Sequence, residues 1–162
     1  MPSVIPFTFE QLAVLLQTTL RNAIVLNYCP DTNIIICNPN DKDVLPTFDS
    51  YSIRIFPADS GFITKRPRIG NYYRNIYAVG IELLVKSFSS TANRLLSGNI
   101  RKNKGIWEFF QDVSNTLEHN TLSNNMDPFP GSNIQSPVTL QLDERQIDGV
   151  GFIWMGNQDN TK

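Results

Sequence analysis

The chain has 162 residues, a mass of 18.4 kDa and two cysteines, Cys29 and Cys37. This length suits one domain whose core folds without a metal or disulfide staple, and two cysteines exclude a disulfide-rich secreted scaffold. The amino terminus lacks the basic and apolar regions of a signal peptide. No apolar run approaches 18 residues, so we expect no membrane span. We expect synthesis in a reducing cytoplasm.

The charge of the chain is balanced in total but unevenly distributed. Fourteen basic and 15 acidic residues give a net charge of −1, which argues against a general nucleic-acid-binding protein. Residues 1–59 carry a net charge of −3, residues 60–104 carry +8, and residues 105–162 carry −6. The basic stretch favours contact with phosphates or with the acidic flanks of a second copy. A solvated charged surface is the alternative.

The first predicted element is a helix over residues 9–22. Thr8 and Gln11 have the spacing of a capping box. The apolar residues that follow recur at helical spacing, and they are Leu12, Leu15, Leu16 and Leu20. The sequence therefore predicts an amphipathic helix with one buried side.

Several β-strands are predicted in the first half of the chain. The runs 23–28 and 34–37 are rich in β-branched residues and are interpreted as two short strands. Alternation over residues 51–57 predicts a strand that ends at Pro57. Residues 58–71 have the composition of a long hairpin arm or a flexible loop. Residues 72–88 predict a long strand with odd-numbered residues buried and even-numbered residues partly solvated.

The second half of the chain predicts one helix and two closing strands. Apolar residues from Ile106 to Leu117 recur at helical spacing. A polar loop over 120–136 precedes an alternating strand over 138–142 and a last strand over 146–156. Residues 157–162 are predicted to be a frayed tail.

The order of elements predicts one α+β domain over residues 1–156. We expect a mixed or antiparallel β-sheet with two main helices packed on one face. An extended β-hairpin arm or loop completes the predicted fold.

A search for catalytic residues finds little. His119 is the one histidine, and nothing near it in sequence supplies a nucleophile. The two cysteines lack the spacing of a zinc site, and Gly149-Val150-Gly151 lacks the rest of a dinucleotide-binding motif. We therefore predict no enzyme activity, no cofactor and no bound metal. A small enzyme with an unrecognised site around His119 remains an alternative.

The basic stretch supplies the candidate site. Its residues are expected at an interface with a second copy or facing DNA phosphates. They are Lys65, Arg66, Arg68, Arg74, Arg101, Lys102 and Lys104.

The layout resembles the tail terminator and tail-completion (head-tail joining) proteins of tailed bacteriophages. The resemblance is carried by the opening helix, SIRIFP, KRPRIG, NIYAVGIELLVKS, the helix IWEFFQDVSNTLEHN, and the closing strands VTLQLD and GVGFIWMG. It covers residues 8–156 by element order and size and includes no diagnostic residue.

The resemblance implies a structural virion protein in the tail-neck region, assembled in the host cytoplasm. Such subunits form a homo-oligomeric ring, here expected to be a hexamer. The ring caps the tail tube protein and joins it to a neck or connector protein, with phage DNA passing through the lumen. Two alternatives stay open: another neck, connector or adaptor protein, and a cytoplasmic nucleic-acid-binding module that uses residues 65–104.

Overall fold

A computed structural model of the chain describes residues 6–38, 50–59, 61–67, 72–86, 104–143 and 147–161. These residues form two α-helices and a six-stranded mixed sheet, so the predicted α+β class is confirmed. The helices are α1 (Phe9–Asn22) and α2 (Ile106–Leu117). The strands are β1 (Ile34–Ile36), β2 (Tyr51–Pro57), β3 (Ile63–Pro67), β4 (Tyr72–Lys86), β5 (Ile134–Asp143) and β6 (Ile147–Thr161).

Helix α1 begins and ends where the sequence predicts. The Thr8 hydroxyl accepts a hydrogen bond from the Gln11 backbone N–H at 3.2 Å, and the Gln11 side chain accepts one from the Thr8 N–H at 3.0 Å. This reciprocal pair satisfies two N–H groups that a helix start otherwise leaves open. The side facing the sheet is buried, and its residues are Leu12, Ala13, Leu16 and Leu20.

Strand β4 is the centre of the sheet. The strand order is β1-β2-β4-β6-β5, with β1 and β2 parallel and the other pairs antiparallel. Strand β3 also pairs with β4, farther along the edge that β2 occupies. Odd-numbered β4 residues such as Val79 and Ile81 join the helices in the core. On the even-numbered side Glu82 and Leu84 are buried, whereas Ile76 is only half-buried.

The predicted strand over residues 23–28 is wrong. Residues Ile24–Leu26 form a single 3-10 turn, closed by the Asn27 N–H donating to the Ile24 carbonyl at 3.1 Å. Leu26 enters the core, but Ile24 is exposed. β-branched composition favours a strand only where a neighbouring strand is present to pair with it, and no strand of the described ranges pairs with these residues.

The last strand continues where the sequence predicts a frayed tail. Strand β6 pairs with β4 through Thr161, which is opposite Tyr72. Asn157 is buried, and the Tyr77 hydroxyl donates to the Gln158 side chain at 3.0 Å. The ordered domain therefore extends past residue 156, because cross-strand contacts hold a segment that has no apolar pattern of its own.

The polar loop over residues 120–133 covers the edge of β6, and β5 begins at Ile134, inside the segment that the sequence predicts as loop. The Asp127 N–H donates to the Asn157 carbonyl at 2.9 Å, and the Met155 N–H donates to the Asn133 carbonyl at 2.8 Å. Leu122 and Met126 are buried. The loop thus satisfies backbone groups of an otherwise open strand edge.

None of the described helices is long and apolar enough to cross a membrane.

Three aromatic rings join α2 to the sheet. The ring centroids of Tyr28, Tyr51 and Phe109 lie 4.8 to 5.7 Å apart in edge-to-face arrangements. Such pairs add stabilisation beyond the burial of their area. Phe109 is fully buried, whereas Trp107 on the same helix is exposed.

Replacing Phe109 with alanine should lower the free energy of unfolding by about 3–5 kcal/mol, because it removes a buried ring and leaves a cavity. Urea denaturation followed by circular dichroism measures the loss. Trp107→Ala is the matched control and should cost less than about 1 kcal/mol. Equal losses for the two variants would contradict this packing.

Candidate functional site

We define the basic arm as β3 together with residues 72–77 of β4 and 156–161 of β6. Strand β2 ends opposite Val79, and β4 continues beyond it. The three strands of the arm pair in register, with Lys65 opposite Asn75 and Asn75 opposite Gln158. All five residues of β3 are exposed. The arm thus presents a short strand to solvent at the edge of the sheet.

The arm carries three of the predicted cations. Arg66 lies opposite Arg74, a like-charge pair that by itself is unfavourable. The Arg74 Nε donates to Asp159 Oδ1 at 2.8 Å, which offsets the repulsion and raises the pKa of Arg74. The Lys65 ammonium lies 5.4 Å from the centre of the Tyr73 ring. Within the described residues Arg66 has neither a hydrogen bond nor an ion pair from its side chain.

Lys104 does not belong to the arm. It precedes α2, and its ammonium donates to Asp112 Oδ2 at 2.7 Å. It also lies 4.8 Å from the centre of the Tyr28 ring. The Tyr28 hydroxyl donates to the same carboxylate oxygen at 2.7 Å. The charge of Lys104 is thus paired within the subunit, and its role at an interface or against DNA stays a prediction.

The predicted set of basic residues is therefore divided by the fold. Lys65, Arg66 and Arg74 come together in the arm, and Lys104 lies beside α2. Arg68, Arg101 and Lys102 lie outside the described residues.

Sequence reasoning missed the polar residues that hold the arm together. Asp159 and Gln158 lie in the segment predicted to fray, yet they contact Arg74 and Tyr77. Asn75 is fully buried in the arm. The Arg74–Asp159 and Tyr77–Gln158 contacts each join residues more than 80 positions apart in sequence. The charge of Asp159 was the one sequence feature that indicated an ion pair, but the sequence does not show which basic residue pairs with it.

The residues considered for catalysis differ in exposure, since His119 is exposed and both cysteines are buried. His119 is exposed just after α2, with its backbone N–H donating to Asn133 Oδ1 at 2.8 Å. Cys29 and Cys37 are buried, and burial raises the pKa of the Cys29 thiol to about 12. A thiol with so high a pKa is not a nucleophile near neutral pH. In the part of the chain that the structure describes, no cluster of acidic, histidine or cysteine side chains could hold a metal ion.

Comparisons with known proteins place the chain in no family. No protein-family model matches it, and neither does any curated protein sequence. Its function therefore has to be argued from its own geometry.

The Tyr28–Asp112–Lys104 cluster predicts a loss of stability in alkaline solution. Burial, reinforced by the hydrogen bond to Asp112, raises the pKa of Tyr28. The same carboxylate raises the pKa of Lys104. Both groups hold their protons more tightly in the folded chain than in the unfolded chain. Their contribution to the free energy of unfolding is therefore complete below about pH 10 and is lost as the pH rises above that value.

Chemical unfolding at pH 8, 10 and 11 measures this effect. The free energy of unfolding of the native chain should fall between pH 10 and 11. Tyr28→Phe should be less stable at pH 8 and should lose less on going to pH 11, because one of the two linked protons is absent. A variant that follows the same pH profile as the native chain would show that Tyr28 is not linked to stability.

Proposed function

We propose that this protein is the subunit of a ring that completes the tail of a tailed bacteriophage. The ring, a hexamer in this proposal, caps the tail tube and joins it to the neck, and DNA passes through its lumen. The observation that supports the proposal best is the basic arm. It is an ordered extension of the sheet, held by three paired strands, whose outer strand is exposed along its whole length.

A strand at the open edge of a sheet can pair with another chain. Proteins either block such pairing or use it to bind a partner. Lysine, arginine and proline on an edge discourage unspecific pairing with other strands, and β3 contains Lys65, Arg66 and Pro67. The same charges favour a partner that carries acidic residues. Residues 1–59 and 105–162 carry net charges of −3 and −6, so a second copy offers suitable surfaces. A ring requires two different complementary surfaces on each subunit.

The fold gives less support to nucleic-acid binding as the main role. Of the described cations of the predicted set, Arg74 and Lys104 are already paired with carboxylates. Lys65 and Arg66 are the two that face solvent in the arm. Sequence-independent DNA binding relies on many phosphate contacts, commonly about six to ten. A protein partner is therefore the better-supported target of the arm.

The proposal predicts an assembly of about 110 kDa, since a hexamer contains six chains of 18.4 kDa. Light scattering across a range of protein concentrations measures the mass, and negative-stain electron microscopy shows whether the particles have a central hole. A chain that stays at 18.4 kDa, both alone and with added tail tube protein, would refute the ring. Tight binding to duplex DNA with a steep salt dependence would favour the nucleic-acid alternative.

Reversing the charge of the arm should impair assembly and leave the subunit folded. Lys65→Glu combined with Arg66→Glu changes two exposed side chains, so the free energy of unfolding should change by less than about 1 kcal/mol. The fraction of rings should fall, because the altered arm repels acidic surfaces. Lys65→Arg with Arg66→Lys is the matched control and should assemble normally. Normal assembly of the charge-reversed chain would show that the arm is not part of the interface.

A further inference from the structure

The outer edge of β3 carries unpaired backbone groups. The Ala78 N–H of β4 donates to the Phe62 carbonyl at 2.8 Å. N–H and C=O groups alternate in direction along an antiparallel strand, so the even-numbered residues of β3 also face β4. The backbone groups of Ile63 and Lys65 therefore face away from β4, and among the described residues no strand pairs with them. Pro67, at the next outward position, has no N–H to leave open.

The outer edge of β5, at the other side of the sheet, is open in the same way. The Met155 N–H of β6 donates to the Asn133 carbonyl at 2.8 Å, so the odd-numbered residues of β6 face β5. From Val138 to Gln141 the even-numbered residues of β5 lie opposite them. The backbone groups of Thr139 and Gln141 therefore face outward, and no strand of the described ranges pairs with this side of β5.

Other edges of the sheet are occupied within the subunit. The Ile34 carbonyl of β1 accepts hydrogen bonds from the side chains of Gln17 at 2.8 Å and Arg21 at 3.0 Å. The loop over residues 120–133 covers the part of β6 that extends past β5. In the described part of the sheet, β3 and β5 thus have the edges best placed to accept a further strand.

The open edges of β3 and β5 match in direction and in the face of their side chains. β3 runs antiparallel to β4, whereas β5 runs parallel to β4, since both β4 and β5 are antiparallel to β6. Copies that lie side by side in the same orientation therefore bring β3 and β5 together as antiparallel neighbours. Lys65 is opposite Asn75, an odd-numbered β4 residue, and Thr139 is opposite the core residue Val150. Both side chains thus lie on the helical side of the sheet, as a continuous sheet requires.

Charge favours the pairing of β3 with β5 over the pairing of β3 with itself. Two β3 strands would bring Lys65 and Arg66 against the same cations of the second copy, which is unfavourable. The exposed residues of β5 are uncharged, and they are Ser136, Pro137, Val138 and Thr139. This strand also belongs to the segment 105–162, whose net charge is −6. The β5 edge of a second copy therefore meets β3 without repulsion.

We propose that β3 of one subunit pairs with β5 of the next subunit, with Lys65 opposite Thr139 and Ile63 opposite Gln141. Each of these pairs exchanges two backbone hydrogen bonds. In this register β5 ends close to Gly61 and stops before β2, so it does not meet β1.

This inference rests on the proposed ring and specifies its contact, since one β-sheet would continue from subunit to subunit. β3 and β5 are different edges on opposite sides of the sheet. Two different surfaces of this kind produce a head-to-tail contact, which is the type that closes into rings.

A chain with two new cysteines tests the register. Lys65→Cys and Thr139→Cys are introduced together, and both positions are exposed. Directly opposite residues that exchange hydrogen bonds have Cα atoms about 5.5 Å apart, which suits a disulfide. Within one subunit β4 and β6 separate the two positions by about 14 Å or more, so an internal link cannot form. Under mild oxidation we expect a ladder of linked chains up to about 110 kDa, with the 65–139 disulfide identified by mass spectrometry.

The matched control moves one cysteine by a single position along β5. Val138 is exposed like Thr139, but its side chain lies on the opposite face of the sheet. The chain with Lys65→Cys and Val138→Cys should give less than about one tenth of the linked dimer, because a disulfide tolerates little misplacement. The native Cys29 and Cys37 are buried in both chains. Equal yields from the two chains would overturn the proposal, and so would links that join residue 65 only to residue 65.

A proline at an outward position gives a second readout. Ile63→Pro removes an N–H that faces the neighbouring subunit and breaks no hydrogen bond to β4, so the chain should keep its native circular dichroism spectrum. Ring formation should fall by about tenfold or more, because the pairing loses a hydrogen bond and meets the proline ring. Ile63→Ala keeps the N–H, so it is the matched control and should assemble normally.

The outcomes separate the strand pairing from the proposed function. Normal rings from the Ile63→Pro chain, or rings without the 65–139 link, would overturn the pairing and leave the proposed function intact. A native chain that forms no rings, together with a double-cysteine chain that forms no 65–139 link, would overturn both.

Discussion

The antiparallel pairing of β4 with β6 is the constraint on which the other elements depend. The two strands are in register over 15 residues each, from Tyr72 opposite Thr161 to Lys86 opposite Ile147. Buried backbone N–H and C=O groups must find partners, and this ladder supplies them along about 50 Å of chain, at roughly 3.3 Å for each residue. Both helices, β2, β3 and β5 are attached to one of these two strands or to a strand paired with them.

The β4–β6 pair also divides the subunit into regions, because its middle and its end carry different elements. Its middle carries the helices on one face and, on the other, an apolar groove between Phe56 and Leu140. One end continues past β2 and, with β3, forms the basic arm. A shorter pair would support the core but would leave β3 nothing to pair with. The length of the ladder, beyond what the core needs, is therefore what creates surfaces available for contact.

Sequence patterns predicted the elements whose signal is local. Helix α1 followed from its capping box and leucine spacing, and β4 followed from alternation. The segment 23–28 was mistaken for a strand because residue type alone does not report whether a neighbouring strand exists. The end of β6 was missed because Asp159 is held by Arg74, 85 positions away. The basic residues could not be divided in advance for the same reason, since the fold alone separates Lys65 from Lys104.

Charge and apolar contact contribute differently to an assembly of the proposed kind. Charges at the rim of an interface mainly direct approach and orientation, whereas buried apolar residues near its centre supply most of the affinity. The basic arm by itself would therefore give a contact that salt weakens strongly. Salt weakens an apolar contact far less, and the described surface offers apolar area in the groove between Phe56 and Leu140, on the sheet face opposite the helices.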